Sequence, residues 1–200
     1  MLFSNLPADN PFQLFQDYYV RAEDHGDKFA EAGCISSVDK DHQPHSRFVN
    51  FKYFFEDNLI FFSNYKSHKA QDFAGNDKVC INFWWPNIEV QVRIEGVISK
   101  CEEKFSDEHF QGRKPSKNVA ALVSEQSKKI ESYDLLKQKY EVMKEKVENG
   151  EYNHSRPRNW GGYQIKVHFF EFWEANDDRL NYRECYEKTD ESWSKFFLQS

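Results

Sequence analysis

Two short stretches join cations and hydroxyls to apolar runs. Arg47-Phe48-Val49-Asn50-Phe51-Lys52 is the first, and Phe61-Phe62-Ser63-Asn64-Tyr65-Lys66-Ser67-His68-Lys69-Ala70 is the second. They stand in a chain of formal net charge −6. Basic groups gathered in an acidic chain suit a small anion, because a polyanion such as nucleic acid favours a basic surface overall. The best single reading of these residues is a site for a phosphate-bearing cofactor. Ser63, Ser67, His68 and Lys69 cluster where a strand ends and a helix begins, and free N–H groups and the helix dipole favour phosphate there. Arg47 and Lys52 are five residues apart. On a regular strand they point to opposite faces and serve different groups, unless a bulge intervenes. The plain alternative is a solvated basic turn with a capping serine, and spacing alone favours it.

Other constellations carry less. His42-x-x-His45, near Asp39 and Asp41, straddles Pro44 and reads as a solvated turn rather than a metal site. No GxGxxG, GxxxxGK[ST] or GxSxG pattern occurs, so those nucleotide-binding and nucleophile-elbow motifs are absent.

The elements that must hold these groups follow from periodicity. Asn10-Pro11 reads as a cap and first helical residue, and Phe12, Phe15, Tyr19 and Ala22 recur at helical spacing. Strands are expected at 33–38, 45–54, 59–63, 79–85 and 90–100, with a short helix capped by Ser67 and ended near Gly75. Val90, Val92 and Ile94 alternate with Gln91, Arg93 and Glu95, which implies one buried face. A charge-rich helical insertion covers about 106–149, where Leu136, Tyr140, Met143 and Val147 form a seam and Gly150 a stop. Strands resume at 163–173, with Tyr163, Ile165, Val167 and Phe169 on one face, then at 180–187 and 193–198. Tight turns favour antiparallel pairing. The expected fold class is mainly β with helices, an antiparallel sheet whose closure into a barrel would remove exposed edges.

Length and composition agree with this. At 200 residues one domain, 1–200, is expected. Hydrophobic residues are 39% of the chain, but 19 Phe, 10 Tyr and 5 Trp can fill a large core and favour strands. Met1 to Asn5 lacks the basic and apolar regions of a signal peptide, and no apolar run is long enough to span a bilayer. Cys34, Cys80, Cys101 and Cys185 form no CxxC, and Cys34 and Cys80 are expected as buried, reduced thiols in strands. A cytoplasmic protein, with neither nucleic acid nor membrane as partner, is the expectation.

Read together with Asn10-Pro11-Phe12, Gln91, Ser124-Glu125-Gln126-Ser127, Trp160-Gly161-Gly162-Tyr163, Glu171-Phe172-Trp173 and Arg179-Leu180-Asn181-Tyr182-Arg183, the chain resembles the pyridoxamine 5′-phosphate oxidase family over nearly its whole length. The resemblance implies an FMN-binding split barrel working as a homodimer, with the flavin at the subunit interface. By position, Arg47, Phe62, Ser63, His68, Lys69, Gln91, Gln126, Ser127, Trp173 and Arg183 would contact FMN. A dianionic phosphate suits Arg47, Lys69 and Ser63 through charge-assisted hydrogen bonds. Without the resemblance, Trp173 reads as a core residue and the glutamines as surface amides.

The resemblance further implies an FMN-dependent oxidase, with hydride transfer to the flavin, reoxidation by dioxygen, and pyridoxamine or pyridoxine 5′-phosphate as substrate. Lys52, His109, Arg113, Lys117, Arg179, Leu180 and Asn181 fall at substrate positions, Arg179 and Asn181 among them as catalytic residues. Departures concentrate here: His109 stands for the usual Tyr, Lys117 for Ser and Asn181 for His, while on the cofactor side His68 stands for Arg. An added cation at about 4 Å from an anion is worth on the order of 4 kcal/mol at an effective dielectric near 20, before desolvation. Asn181, unlike His, cannot titrate near neutral pH. Two alternatives remain open: a related oxidase of another anionic ring compound, such as a reduced phenazine precursor, and a non-catalytic flavin or haem carrier.

Overall fold

Apolar alternation drives these strands to curl around a common interior. The computed structural model describes residues 1–8, 10–152 (Asn10 by its backbone alone), 155–190 and 192–200. In order, the elements are β1 (Leu2–Ser4), α1 (Asn10–Asp24), β2 (Ala32–Val38), β3 (Pro44–Phe55), β4 (Asn58–Asn64), α2 (His68–Gly75), β5 (Lys78–Trp85), β6 (Val90–Lys100), α3 (Glu103–Gly112), α4 (Pro115–Val123), α5 (Tyr133–Glu148), β7 (Trp160–Glu174), β8 (Tyr182–Thr189) and β9 (Ser192–Phe197). The expected cap at Asn10 concerns a side chain outside the described residues.

Antiparallel pairing runs β3–β2–β5–β6–β7–β4 and returns to β3, closing a six-stranded barrel. Val90, Val92 and Ile94 are fully buried inside it, as their alternation predicts. Phe12 and Phe15 of α1 pack on the barrel core, Phe12 lying 5.5 Å from Phe54 and Phe15 lying 5.2 Å from Phe83 between ring centroids. Such tilted aromatic pairs add to the gain from burying their area. The three-residue β1 pairs parallel with β3, a strand that no periodicity announces.

β7 is the pivot of the architecture. Its first half, Trp160–Lys166, pairs with β4, and its second half, Phe169–Glu174, pairs with β8. Between them Glu95 faces Phe169 while Gly96 faces Val167, so His168 is an extra, bulged residue. The bulge reverses the alternation expected from the sequence. Tyr163, Ile165 and Val167 are buried, then Phe170 and Phe172 take over, while Phe169 and Trp173 are only half-buried. Gly96 permits the close approach, since a Cβ there would lie 2.6 Å from the carbonyl oxygen of Lys166.

The helical insertion starts earlier than expected, at Glu103, and comprises three helices separated by residues 113–114, with Pro115 opening the second, and by residues 124–132. α5 ends as its Gly150 predicts: Gly150 has φ of 72°, its N–H donates to Val147 O, and Glu151 N–H donates to Lys146 O. The last two strands begin at Tyr182 and Ser192, so Leu180 and Asn181 precede the strand assigned to them. All four cysteines are free. Cys101 and Cys185 are buried, whereas Cys34 and Cys80, expected inside, are half-exposed on the outer face. No helix among the described residues is long and apolar enough to cross a membrane.

Candidate functional site

The barrel is split at β3. Over Pro44–Asn50 this strand pairs only with β2, and its pairing with β4 begins at Phe51. A cleft of about 820 Å³ opens where the two strands part. At the junction Phe51 faces Phe61 and Tyr53 faces Ile60, so Lys52 is bulged out of register. The bulge brings Arg47 and Lys52 to one cleft, resolving the alternative left by their five-residue spacing.

One end of the cleft is polar and cationic. Lys69, in the first turn of α2, is 8% exposed, and its Nζ donates to Ser63 Oγ over 3.3 Å. Among the described residues no carboxylate pairs with it. Burial, and then Arg47, push its pKa down. Arg47 is better compensated, donating to Ser37 Oγ at 2.7 Å and to Asp72 Oδ2 at 3.4 Å. Burial alone would raise the Asp72 pKa, but hydrogen bonds from Ser37 and His45 and the nearby charges hold it below the usual carboxylate range. Ser67 does not cap α2: its hydroxyl donates to Asn64 O instead. Gln126 Oε1 accepts from Ser63 Oγ and from Asn64 N, each at 3.2 Å. His68 and Ser127 complete this end, Ser127 with φ of 72°.

The other end is a stack of rings. Phe62 of β4 stacks on His109, with centroids 3.6 Å apart and planes within 8°, and Trp160 lies nearly parallel beside both, 5.3 Å from Phe62 and 6.2 Å from His109. Tyr53 Oη lies 2.8 Å from His109 Nδ1. Burial, then Arg113 and Lys52, depress the His109 pKa to about 4, so the ring is neutral at pH 7. The Arg113 guanidinium sits 5.0 Å over the Trp160 ring and donates to Lys117 O at 2.7 Å. Its Nη1 is buried with no hydrogen-bond partner among the described residues. A buried donor in that state costs free energy that a bound anion would recover.

The cleft therefore gathers Arg47, Lys52, Phe62, Ser63, His68, Lys69, His109, Arg113, Gln126 and Ser127. Other expected site residues stand elsewhere in the chain. Gln91, Trp173 and Arg183 form a row across β6, β7 and β8, each facing the next in register. Arg183 is engaged there: with Arg93 it clamps Glu171, which is 3% exposed, at 2.5 to 2.9 Å. Burial would raise the Glu171 pKa, and the two arginines bring it below its ordinary value. Arg179 (φ 60°), Leu180 (75% exposed) and Asn181 lie in the loop before β8, where Asn181 Oδ1 accepts from Asn176 N at 3.1 Å. Lys117 meets Arg113 through its carbonyl and does not line the cleft. Nothing in the spacing points to Tyr53, one more aromatic in a strand, as the neighbour of His109 behind the cleft, or to His45, read as part of a solvated turn, as a cleft residue bonded to Asp72 of α2.

This geometry can be set beside known proteins. The sequence model described as pyridoxamine 5′-phosphate oxidase matches residues 28–146, and that of the pyridoxine 5′-phosphate oxidase C-terminal dimerisation region matches residues 160–200. A pyridoxine/pyridoxamine 5′-phosphate oxidase of Colwellia psychrerythraea is 37% identical over 183 residues, covering 92% of this chain and 83% of the relative. The enzyme of that name numbered 2 in Hydrogenovibrio crunogenus is 38% identical over 97% of this chain and 90% of its own length. Among solved structures, PhzG from Burkholderia lata 383, in complex with tetrahydrophenazine-1-carboxylic acid, superposes with a TM-score of 0.89 at 23% identity, covering 97% of this chain and 94% of that one. A pyridoxamine 5′-phosphate oxidase-related, FMN binding protein from Nostoc punctiforme superposes with a TM-score of 0.77 at 15% identity, over 96% and 99% of the two chains. Both share the fold. With the split barrel, the cationic cleft and these relatives in hand, the chain belongs to the pyridoxamine 5′-phosphate oxidase family.

Proposed function

We infer that this protein is an FMN-dependent oxidase of pyridoxamine or pyridoxine 5′-phosphate, acting as a homodimer. The observation that carries the reading is Lys69: a buried ammonium beside Arg47 and Ser63, in a cleft, with no carboxylate partner among the described residues. Such a group is costly unless an anion neutralises it, and a phosphate does so with charge-assisted hydrogen bonds. The donor set fits FMN. Lys69, Arg47 and Ser63 would hold its phosphate, with the uncapped start of α2 and His68 alongside. Gln126 and Ser127 offer polar contacts to the remainder. Bound FMN would supply the acceptor for a hydride from the substrate carbon, and dioxygen, itself reduced to hydrogen peroxide, would restore the oxidised flavin.

The residues of the chain do the binding and orienting. Arg113, with its unpartnered Nη1, and Lys52 would grip the substrate anion, and the Phe62–His109–Trp160 stack would form an apolar wall. Gln91, Trp173 and Arg183 are proposed to serve the cleft of the partner subunit. The match of residues 160–200 to a dimerisation region supports this division. Arg179, Leu180 and Asn181 would reach substrate by the same route, Arg179 covering its ring.

Purified protein should be yellow, and the FMN-loaded protein should consume oxygen with either vitamer phosphate. FMN-replete protein that turns over neither overturns the vitamin B6 assignment. A second reading, an oxidase of another anionic ring compound, is favoured by Asn181, whose side-chain oxygen already accepts from Asn176 N and which cannot exchange a proton near pH 7. A panel of reduced heterocyclic acids tested against the B6 phosphates separates the two. An absorbance spectrum of the purified protein identifies a haem carrier.

A further inference from the structure

His109 presents a problem that its neighbours solve. Its ring lies 3.6 Å from that of Phe62 and 8° from parallel, which fixes the ring plane. Stacking alone does not fix which nitrogen faces which way, since a half-turn of the ring leaves the stack almost unchanged. Nor does stacking choose between the two neutral tautomers, one nitrogen donating and the other accepting. The choice matters, because the ring lines the cleft with Arg113 and Lys52. An Nε2–H there would strengthen anion binding, whereas an Nε2 lone pair would oppose it.

We propose that Tyr53 is a positioning residue for substrate binding: its hydroxyl donates to His109 Nδ1 and holds the ring in the tautomer that offers Nε2–H to the anionic group of the substrate. The inference rests on the substrate placement given under the proposed function. Tyr53 Oη and His109 Nδ1 are 2.8 Å apart, and neither has another hydrogen-bond partner among the described residues. Burial raises the Tyr53 pKa, so the phenol keeps its proton. Burial, Arg113 and Lys52 keep His109 neutral, so Nδ1 is free to accept. The tyrosine ring is itself held edge-on to Phe62, Phe105 and His109, at 5.5 to 6.2 Å. The pair thus supplies a neutral donor beside two cations, at a position where the resemblance implies a tyrosine hydroxyl.

The test is a double-mutant cycle of Tyr53→Phe and His109→Phe, with Nδ1 and Nε2 of His109 observed by nitrogen NMR. The wild type should show the Nε2–H tautomer, and Y53F a mixture. Y53F should raise KM for pyridoxamine 5′-phosphate about three- to tenfold with kcat little changed, the scale of one hydrogen bond. In the H109F background the same change should leave KM unaltered. An Nδ1–H tautomer in the wild type, or an equal effect of Y53F in both backgrounds, overturns the proposal. Failure of the wild type to turn over the vitamers refutes the substrate assignment alone. The cycle is then read in the Kd for inorganic phosphate by calorimetry, with the same criteria.

Discussion

Lys69 and Arg113 in the cleft and Arg93 and Arg183 on the outer face of β6, β7 and β8 all lie against the sheet and resolve their charge in opposite ways, while Arg47 and Lys52 of the cleft have carboxylate partners in Asp72 and Glu31. On the outer face Glu171 accepts from Arg93 and Arg183 together. In the cleft Lys69 has the Ser63 hydroxyl and no carboxylate partner among the described residues, and the buried Arg113 Nη1 has no hydrogen-bond partner among them. A buried cation with a carboxylate beside it is part of the structure. One left with neutral partners is held at a cost, which binding an anion recovers. Unsatisfied charge, more than the number of charges, therefore singles out Lys69 and Arg113 as the groups that an anion would relieve.

The largest effect expected from breaking this contrast is on the paired side. Glu171→Ala leaves two arginines facing each other on a half-buried sheet surface and should cost about 3–5 kcal/mol of stability, the range for removing one partner of a buried ion pair. Urea denaturation of the FMN-free protein measures it; a loss within the ordinary scatter of surface substitutions would show the network to be dispensable. On the unpaired side, Lys69→Met should have effects of opposite sign. FMN affinity should fall about 10- to 100-fold, the worth of a hydrogen bond to a charged group. The FMN-free protein should become more stable by about 1 kcal/mol, because the desolvated ammonium is gone. Flavin fluorescence titration and thermal melts read the two, and a loss of both together would make Lys69 structural.

The smallest effect concerns pH. His109 has a folded pKa of about 4, below its ordinary 6.5. Between those values the unfolded chain binds a proton that the folded one refuses. The contribution of this residue is therefore complete above about pH 6.5 and is lost as pH falls toward 4. Denaturation of the wild type and His109→Gln at pH 7 and pH 5 should show a smaller acid loss in the variant. Equal losses would mean that the ring is protonated in the folded state.

Much of this was legible in the chain. Strand patterning located eight of the nine strands among the described residues, and Gly150 and the Ser67–Lys69 segment marked helix ends through chemistry that acts within a few residues. The Ser67 segment also shows the limit: its position before α2 is as expected, yet its hydroxyl serves Asn64 O, a choice made by the shape of the turn. The two bulges were beyond reach for a related reason. An extra residue at Lys52 or His168 is defined only against a partner strand, and the partner lies elsewhere in the sequence. The His168 bulge turned Trp173 and Glu171 to the outer face, where a continued alternation from Tyr163 would have put Phe169 inside.

Residue types and their local spacing by themselves determined that the protein would have an aromatic core, an antiparallel sheet, a gathering of cations and hydroxyls near Arg47 and Lys69, and membership of a recognisable family. Those properties depend on side-chain chemistry and on periods of two or four residues. Only the tertiary structure decided which cations are neutralised, that Tyr53 meets His109, and that Gln91, Trp173 and Arg183 stand apart from the cleft of their own chain. Each of those depends on the distance between groups far apart in the sequence, and electrostatic and hydrogen-bond energies change over a few ångströms.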